Sequence, residues 1–125
     1  MLMNLPLFLV EDDPCIRDQL IALTQLSLGA KIVGLAETEH DALLWLHSHQ
    51  GDWKVAVVDL FLKDGTGFGI LSNLTGHRSG KVVILTNSAT IENKARCMCL
   101  GADAVFDKTS ELEDFLDYCC GLGGH

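Results

Sequence analysis

Positive charge is scarce in this chain. Lys and Arg number 9 against 17 Asp and Glu, for a formal net charge of −8. A protein that binds nucleic acid directly needs a basic face to meet phosphates, so that class is not expected here. Long apolar runs are also missing, and none approaches the roughly 20 residues a membrane-spanning helix requires. The opening MLMNLPLFLV is apolar, yet it has no basic segment and no small-residue cleavage site, and it runs straight into three acids. A buried first strand fits that pattern and a secretory signal does not, so a cytoplasmic protein with no membrane insertion is expected. Cysteine pairing is absent as well. Cys15, Cys97, Cys99, Cys119 and Cys120 are odd in number and lack framework spacing. On helices, residues one or two apart diverge, which argues for free thiols and against a zinc site; His47 and His49 likewise share no ligating face and should be exposed.

What is present is a core-forming composition, 48% hydrophobic over 125 residues, enough for one domain and too apolar for disorder. Short apolar runs alternate five times with segments of helical period. The runs are 5–10, 31–36, 55–59, 81–85 and 104–106. Asp13 reads as the N-cap of the first helix with Pro14 at its first position. Ile16, Leu20, Leu23 and Leu26 give the helical spacing, and Gly29 stops it. Thr38 with Asp41 caps a second helix whose apolar side holds Leu43, Trp45 and Leu46. A turn-rich segment from 60 leads to a short third helix ending near Leu74. Residues 90–100 make a fourth, stopped by Gly101. Ser110 to Glu113 reads as a capping box for a last helix carrying Leu112, Phe115, Leu116 and Cys119, and the terminal GLGGH should fray. Strands alternating with helices imply right-handed crossovers and a parallel sheet covered on both faces, with no repeat or second domain.

Chemistry-bearing residues fall just past the strands. Glu11, Asp12 and Asp13 follow the first, Asp59 ends the third, Thr86 follows the fourth and Lys108 the fifth. The carboxyl ends of parallel strands share one edge, where such folds bind ligands. Acids, a hydroxyl and an ammonium converging there suit a divalent metal and a phosphoryl group. Gly65, Gly67 and Gly69 superficially match a dinucleotide fingerprint, but Ile70 takes the place of its third glycine and the loop does not follow the first strand. That segment is read as a turn, and no P-loop is present.

The stretches FLVEDDPCIRDQL, VAVVDLFLKDGTGFGIL, VVILTNSA and LGADAVFDKTSE together resemble the receiver domain of two-component response regulators, in order and over essentially the whole chain. The resemblance implies a flavodoxin-like (βα)5 three-layer α/β sandwich, with a five-stranded parallel sheet of order 2-1-3-4-5. It implies a stand-alone receiver over residues 1–125 without an output domain, although a piece cut from a longer regulator has the same sequence. It makes Asp59 the phosphoacceptor. Glu11, Asp12, Asp59 and the backbone carbonyl of Phe61 become ligands of Mg2+, with Mn2+ as a substitute. Asp12 is the expected direct ligand, Glu11 a ligand either directly or through water, and Asp13 a rival for the pair that Pro14 assigns to the helix cap instead. Lys108 would face the phosphoryl oxygens and Thr86 would hydrogen-bond one of them.

The implied partners are a sensor histidine kinase or a histidine phosphotransfer protein, docking near the first helix and the loop after Lys108, and a downstream protein target. Enzymatic turnover of a separate substrate is not implied, only self-phosphorylation and slow self-dephosphorylation. Some positions depart from the pattern. Val105 stands where receivers carry an aromatic, and Phe106 is one position off and should face the other side of the sheet. Lys63 and Thr109 stand where prolines are common, and Asn87 where a small residue is usual. Two other readings compete: a degenerate receiver acting as a phosphorylation-independent interaction module, and a small phosphatase with an aspartyl nucleophile. The latter needs a second Asp where Phe61 sits.

Overall fold

The apolar runs form strands, and the three central ones are buried almost throughout while the two at the sheet edges are only partly so. A computed structural model describes residues 4–74, 78 and 80–123. Its elements are β1 (Leu5–Val10), α1 (Pro14–Leu28), β2 (Ala30–Ala36), α2 (Glu39–Ser48), β3 (Val55–Val58), α3 (Gly67–Ser72), β4 (Lys81–Thr86), α4 (Ile91–Cys99), β5 (Ala104–Asp107) and α5 (Leu112–Gly123). All ladders are parallel, and the sheet order is β2-β1-β3-β4-β5. The expected α/β sandwich is therefore the observed one.

Successive side chains of a strand point to opposite faces, and this divides the core in two. Phe8, Val10, Ala56, Val58, Val82 and Ile84 pack toward α2, α3 and α4. Leu7, Leu9, Val55, Val57, Val83 and Leu85 pack toward α1 and α5, where Leu20, Leu28, Phe115 and Cys119 meet them. Val105 joins the first cluster. Phe106 joins the second, edge-on to Phe115, as its register required.

Local chemistry sets most boundaries. Asp13 Oδ1 accepts from the amides of Cys15 and Ile16, and Pro14 opens α1. Gly29 closes that helix in the left-handed region at φ 60°, which glycine adopts without a Cβ clash. Thr38, Thr66 and Thr90 cap α2, α3 and α4, each accepting one amide with its hydroxyl. In β2 the pairing with β1 skips a residue between Ile32 and Gly34. A Cβ on Gly34 would lie 2.5 Å from the Trp45 indole. The bare glycine lets Trp45 stack on Phe8 at 4.1 Å between ring centroids, with His49 stacked on its other side at 4.2 Å.

Several details depart from the sequence reading. Leu26 is 87% exposed, because Thr24 and Leu28 take the buried side of the last turn of α1. His49 is half-buried against Trp45, while His47 is exposed as expected. The turn that leads into the last helix is held from Asp107, five residues before the helix begins at Leu112. The Asp107 carboxylate accepts the amides of Thr109 and Ser110, and Glu111 reaches back to the Asp107 amide. Gly121, Leu122 and Gly123 are helical instead of frayed, and Gly124 and His125 lie outside the described residues. Among the described residues no helix is long and apolar enough to cross a membrane.

Candidate functional site at the carboxyl edge of the sheet

β1 and β3 are neighbours, so their ends deliver Glu11, Asp12 and Asp59 to one place. The Glu11 amide bonds to the Ala36 carbonyl, and the Asp59 amide to that of Val10, each at 3.0 Å. One carboxylate oxygen from each acid lies within 4.8 Å of the others. Such a cluster of hard oxygen donors fits a small divalent cation, which takes carboxylates and keeps water in its shell. Asp13, the rival for the pair, is exposed and committed to capping α1.

β5 delivers the counter-charge. Lys108 follows it in a turn whose amide bonds to the Thr86 carbonyl at 3.0 Å. Its Nζ lies 2.5 Å from Glu11 Oε1 and 3.1 Å from Asp59 Oδ2. The side chain of Glu11 is only 2% exposed. Burial pushes its carboxyl above the usual carboxylate value, and the hydrogen bonds from Lys108 and the Asp13 amide partly offset this. Burial pulls the Lys108 ammonium down, but contact with the Glu11 and Asp59 carboxylates outweighs it, so its value ends raised. Asp59 Oδ1 accepts the Leu60 amide at 2.7 Å, which leaves Oδ2 facing the lysine. Thr86 is buried at the end of β4, with its Oγ1 accepting the Ser88 amide at 3.1 Å.

The two positions where receivers commonly carry proline both use an N–H that proline lacks. The Lys63 amide donates to Asp12 Oδ2 at 2.5 Å, and the Thr109 amide to Asp107 Oδ1 at 2.8 Å. The sequence reading missed the first of these links, since no side-chain signal announces a backbone donor. Phe61 belongs to the same loop, its exposed ring edge-on to Phe68 and its backbone bridged to Thr66.

The model of the response regulator receiver domain family matches residues 7–119. The chain belongs to that family. As a receiver it is a component of two-component signalling, a class whose members are phosphorylated by histidine kinases or phosphotransfer proteins. No curated protein sequence matches it. Among solved structures it is similar to a LuxR-family DNA-binding response regulator from Staphylococcus aureus, at 20% identity and a TM-score of 0.83, covering 98% of this chain and 99% of that one. A receiver domain of a DNA-binding response regulator (merR) from Colwellia psychrerythraea 34H matches at 24% identity and a TM-score of 0.83, over 97% and 99%. The response regulator domain of Thermotoga maritima CheB matches at 13% identity and 0.81, over 100% and 98%. At these identities the likeness shows the shared fold.

Proposed function

We propose that Asp59 accepts a phosphoryl group from a histidine kinase or a histidine phosphotransfer protein, and that the phosphorylated receiver signals through protein contact. The observation that carries this reading is the placement of Asp59 Oδ2 at 3.1 Å from Lys108 Nζ, beside the Glu11 and Asp12 carboxylates. In the transfer, a carboxylate oxygen of Asp59 attacks phosphorus, the phosphorus–nitrogen bond of the phosphohistidine breaks, and the imidazole departs. The product is an acyl phosphate. Lys108 would then exchange its contact with Asp59 for one with a phosphoryl oxygen.

Glu11, Asp12, Asp59 and the Phe61 carbonyl would hold Mg2+, or Mn2+ in its place. When bound, the ion keeps neighbouring acids ionised together and neutralises charge on the transferring phosphoryl group. Thr86 would donate its hydroxyl hydrogen to a phosphoryl oxygen and draw the loop after β4 toward the site. Val105 leaves no aromatic to follow that movement, and Phe106 is engaged with Phe115 and Tyr118 on the opposite face. The response would therefore reach the surface of α4, β5 and α5 through the loop backbone. A groove of about 230 Å3 opens beside Lys108, with Ile16, Leu20, Leu23 and Leu112 among its lining residues, and would receive the phosphodonor protein.

Intact mass after incubation with acetyl phosphate and Mg2+ tests the proposal. The wild type is expected to gain one phosphoryl group and Asp59→Asn none. A wild type that gains none, from acetyl phosphate or from a broad set of kinases, sinks the phosphoacceptor reading and favours the phosphorylation-independent module. Turnover of a separate phosphoester would favour the phosphatase instead.

A further inference from the structure

The glycine-spaced segment Gly65-Thr66-Gly67-Phe68-Gly69 has a use that a turn alone does not explain. It wraps the side chain of Glu39, the first residue of α2. A Cβ on Gly65 would lie 2.3 Å from Glu39 Cβ, and Gly65 also sits at φ 92°. A Cβ on Gly69 would lie 2.3–2.5 Å from all three atoms of the Glu39 carboxyl. Only hydrogen at both positions lets that carboxylate lie against the loop.

Glu39 holds the loop twice. Its own amide donates to the Asp64 carbonyl at 3.0 Å, and its Oε1 accepts the Thr66 amide at 2.9 Å. Thr66 in turn is bridged to Phe61 and caps α3 through the Gly69 amide at 3.1 Å. Gly67 ties the start of the loop, its amide donating to the Leu60 carbonyl at 2.7 Å. The same loop presents the Lys63 amide to Asp12. The held segment therefore includes Leu60, Phe61 and Lys63, directly after Asp59 and beside Asp12.

We propose that Glu39 is a positioning residue of the phosphoacceptor site: its carboxylate, seated in the Gly65–Gly69 cradle, fixes the loop that places the Phe61 carbonyl and Asp12 for Mg2+. This inference rests on the metal and phosphoryl reading of that site. The carboxylate acts as a hydrogen-bond acceptor for Thr66, so an amide oxygen of the same reach replaces it. A methyl at Gly69 displaces it without removing it. Displacing a residue that orients metal ligands weakens metal binding about tenfold or more.

The experiment is calorimetric titration of Mg2+ into the full chain as wild type, Glu39→Gln, Glu39→Ala and Gly69→Ala, with thermal unfolding of each. Expected are a Mg2+ Kd about tenfold weaker in Glu39→Ala and Gly69→Ala and a near-wild-type value in Glu39→Gln. Alanine suits the helical backbone at 69, which offsets the acceptor withdrawn from the Thr66 amide, so Gly69→Ala should melt close to the wild-type temperature, above Glu39→Ala, and still lose affinity. A merely structural role would instead make affinity follow the melting temperature across the series, and that pattern overturns the inference. Unchanged affinity in both alanine variants, with Mg2+ bound by the wild type, overturns it too and leaves the phosphoacceptor site standing. Failure of the wild type itself to bind Mg2+ overturns both.

Discussion

A single lysine joins two of the site's three acids, Glu11 and Asp59. Glu11 is nearly sealed from water, and Lys108 is its charged partner at 2.5 Å. Removing one member of a buried pair leaves the other charge uncompensated, at a cost of about 3 kcal/mol. Lys108→Met is therefore expected to lose about that much stability at pH 7. The loss should shrink in acid, and the sign follows from the raised Glu11 value. A carboxyl whose folded value lies above its unfolded one binds a proton more tightly when folded, so stability rises as pH falls through that value. Without Lys108 the value rises further, and the variant regains stability at higher pH than the wild type does. Urea titrations of both proteins at about pH 7 and pH 5 check this; an equal deficit at the two pH values would refute the assignment.

Among elements, the start of α5 is joined to α4 through the turn that carries Lys108. Glu111 Oε1 accepts both the Asp107 amide and the Lys94 ammonium, each at 3.0 Å. The Lys94 ammonium, helped by the Asp107 amide, holds the Glu111 carboxyl below its ordinary value, and the Ser110 and Thr109 amides do the same for Asp107. Groups with depressed values contribute stability that is present above their ordinary values of 4.5 and 3.8. That stability is lost as pH falls through the lowered ones. Glu111→Ala should speed hydrogen exchange at the Asp107 amide several-fold at neutral pH, with exchange in β1 unchanged. Acidification should bring the wild type toward the variant. Equal protection of Asp107 in the two proteins near pH 7 would mean that Glu111 does not hold this turn.

Across the whole molecule, two thiols are sealed into the two halves of the core. Burial pushes Cys97 up to about 11 and Cys119 up to about 12, from an ordinary 9.0. Tyr118 and Lys108 are raised as well, Tyr118 by burial and Lys108 by its carboxylate partners against the pull of burial. Above pH 9 the unfolded chain sheds thiol protons that the folded chain keeps, so stability falls as pH rises. Each such group adds a slope of about 1.4 kcal/mol per pH unit between its unfolded and folded values. Tyr118 and Lys108 join with the same sign at higher pH. The unfolding free energy is expected to be level near pH 8 and to drop steeply by about pH 10.5. A level profile over that span would show that the thiols are not sealed in.

The sequence by itself determined the alternation of elements, the sheet and the residues at its carboxyl edge. Continuous apolar runs such as 55–58 have only one way to be buried, and caps such as Asp13 and Gly29 act within a few residues of themselves. Phe106 could be assigned to its face because the period of a strand is two. Tertiary structure decided what depends on partners far along the chain. Glu39 reads as an ordinary first-turn acid until α2 is packed against the loop of α3, and the glycines at 65 and 69 read as a turn until its carboxylate fills them. The Lys63 amide and the Asp107–Glu111 turn leave no mark in the side-chain pattern, since they turn on where backbone donors end up. Leu26 keeps its helical spacing, yet the packing of α1 leaves it in water. Periodicity and capping are local free energies and can be read along the chain; the distance between Asp59 and Lys108 is set only when the sheet brings β3 and β5 to either side of β4.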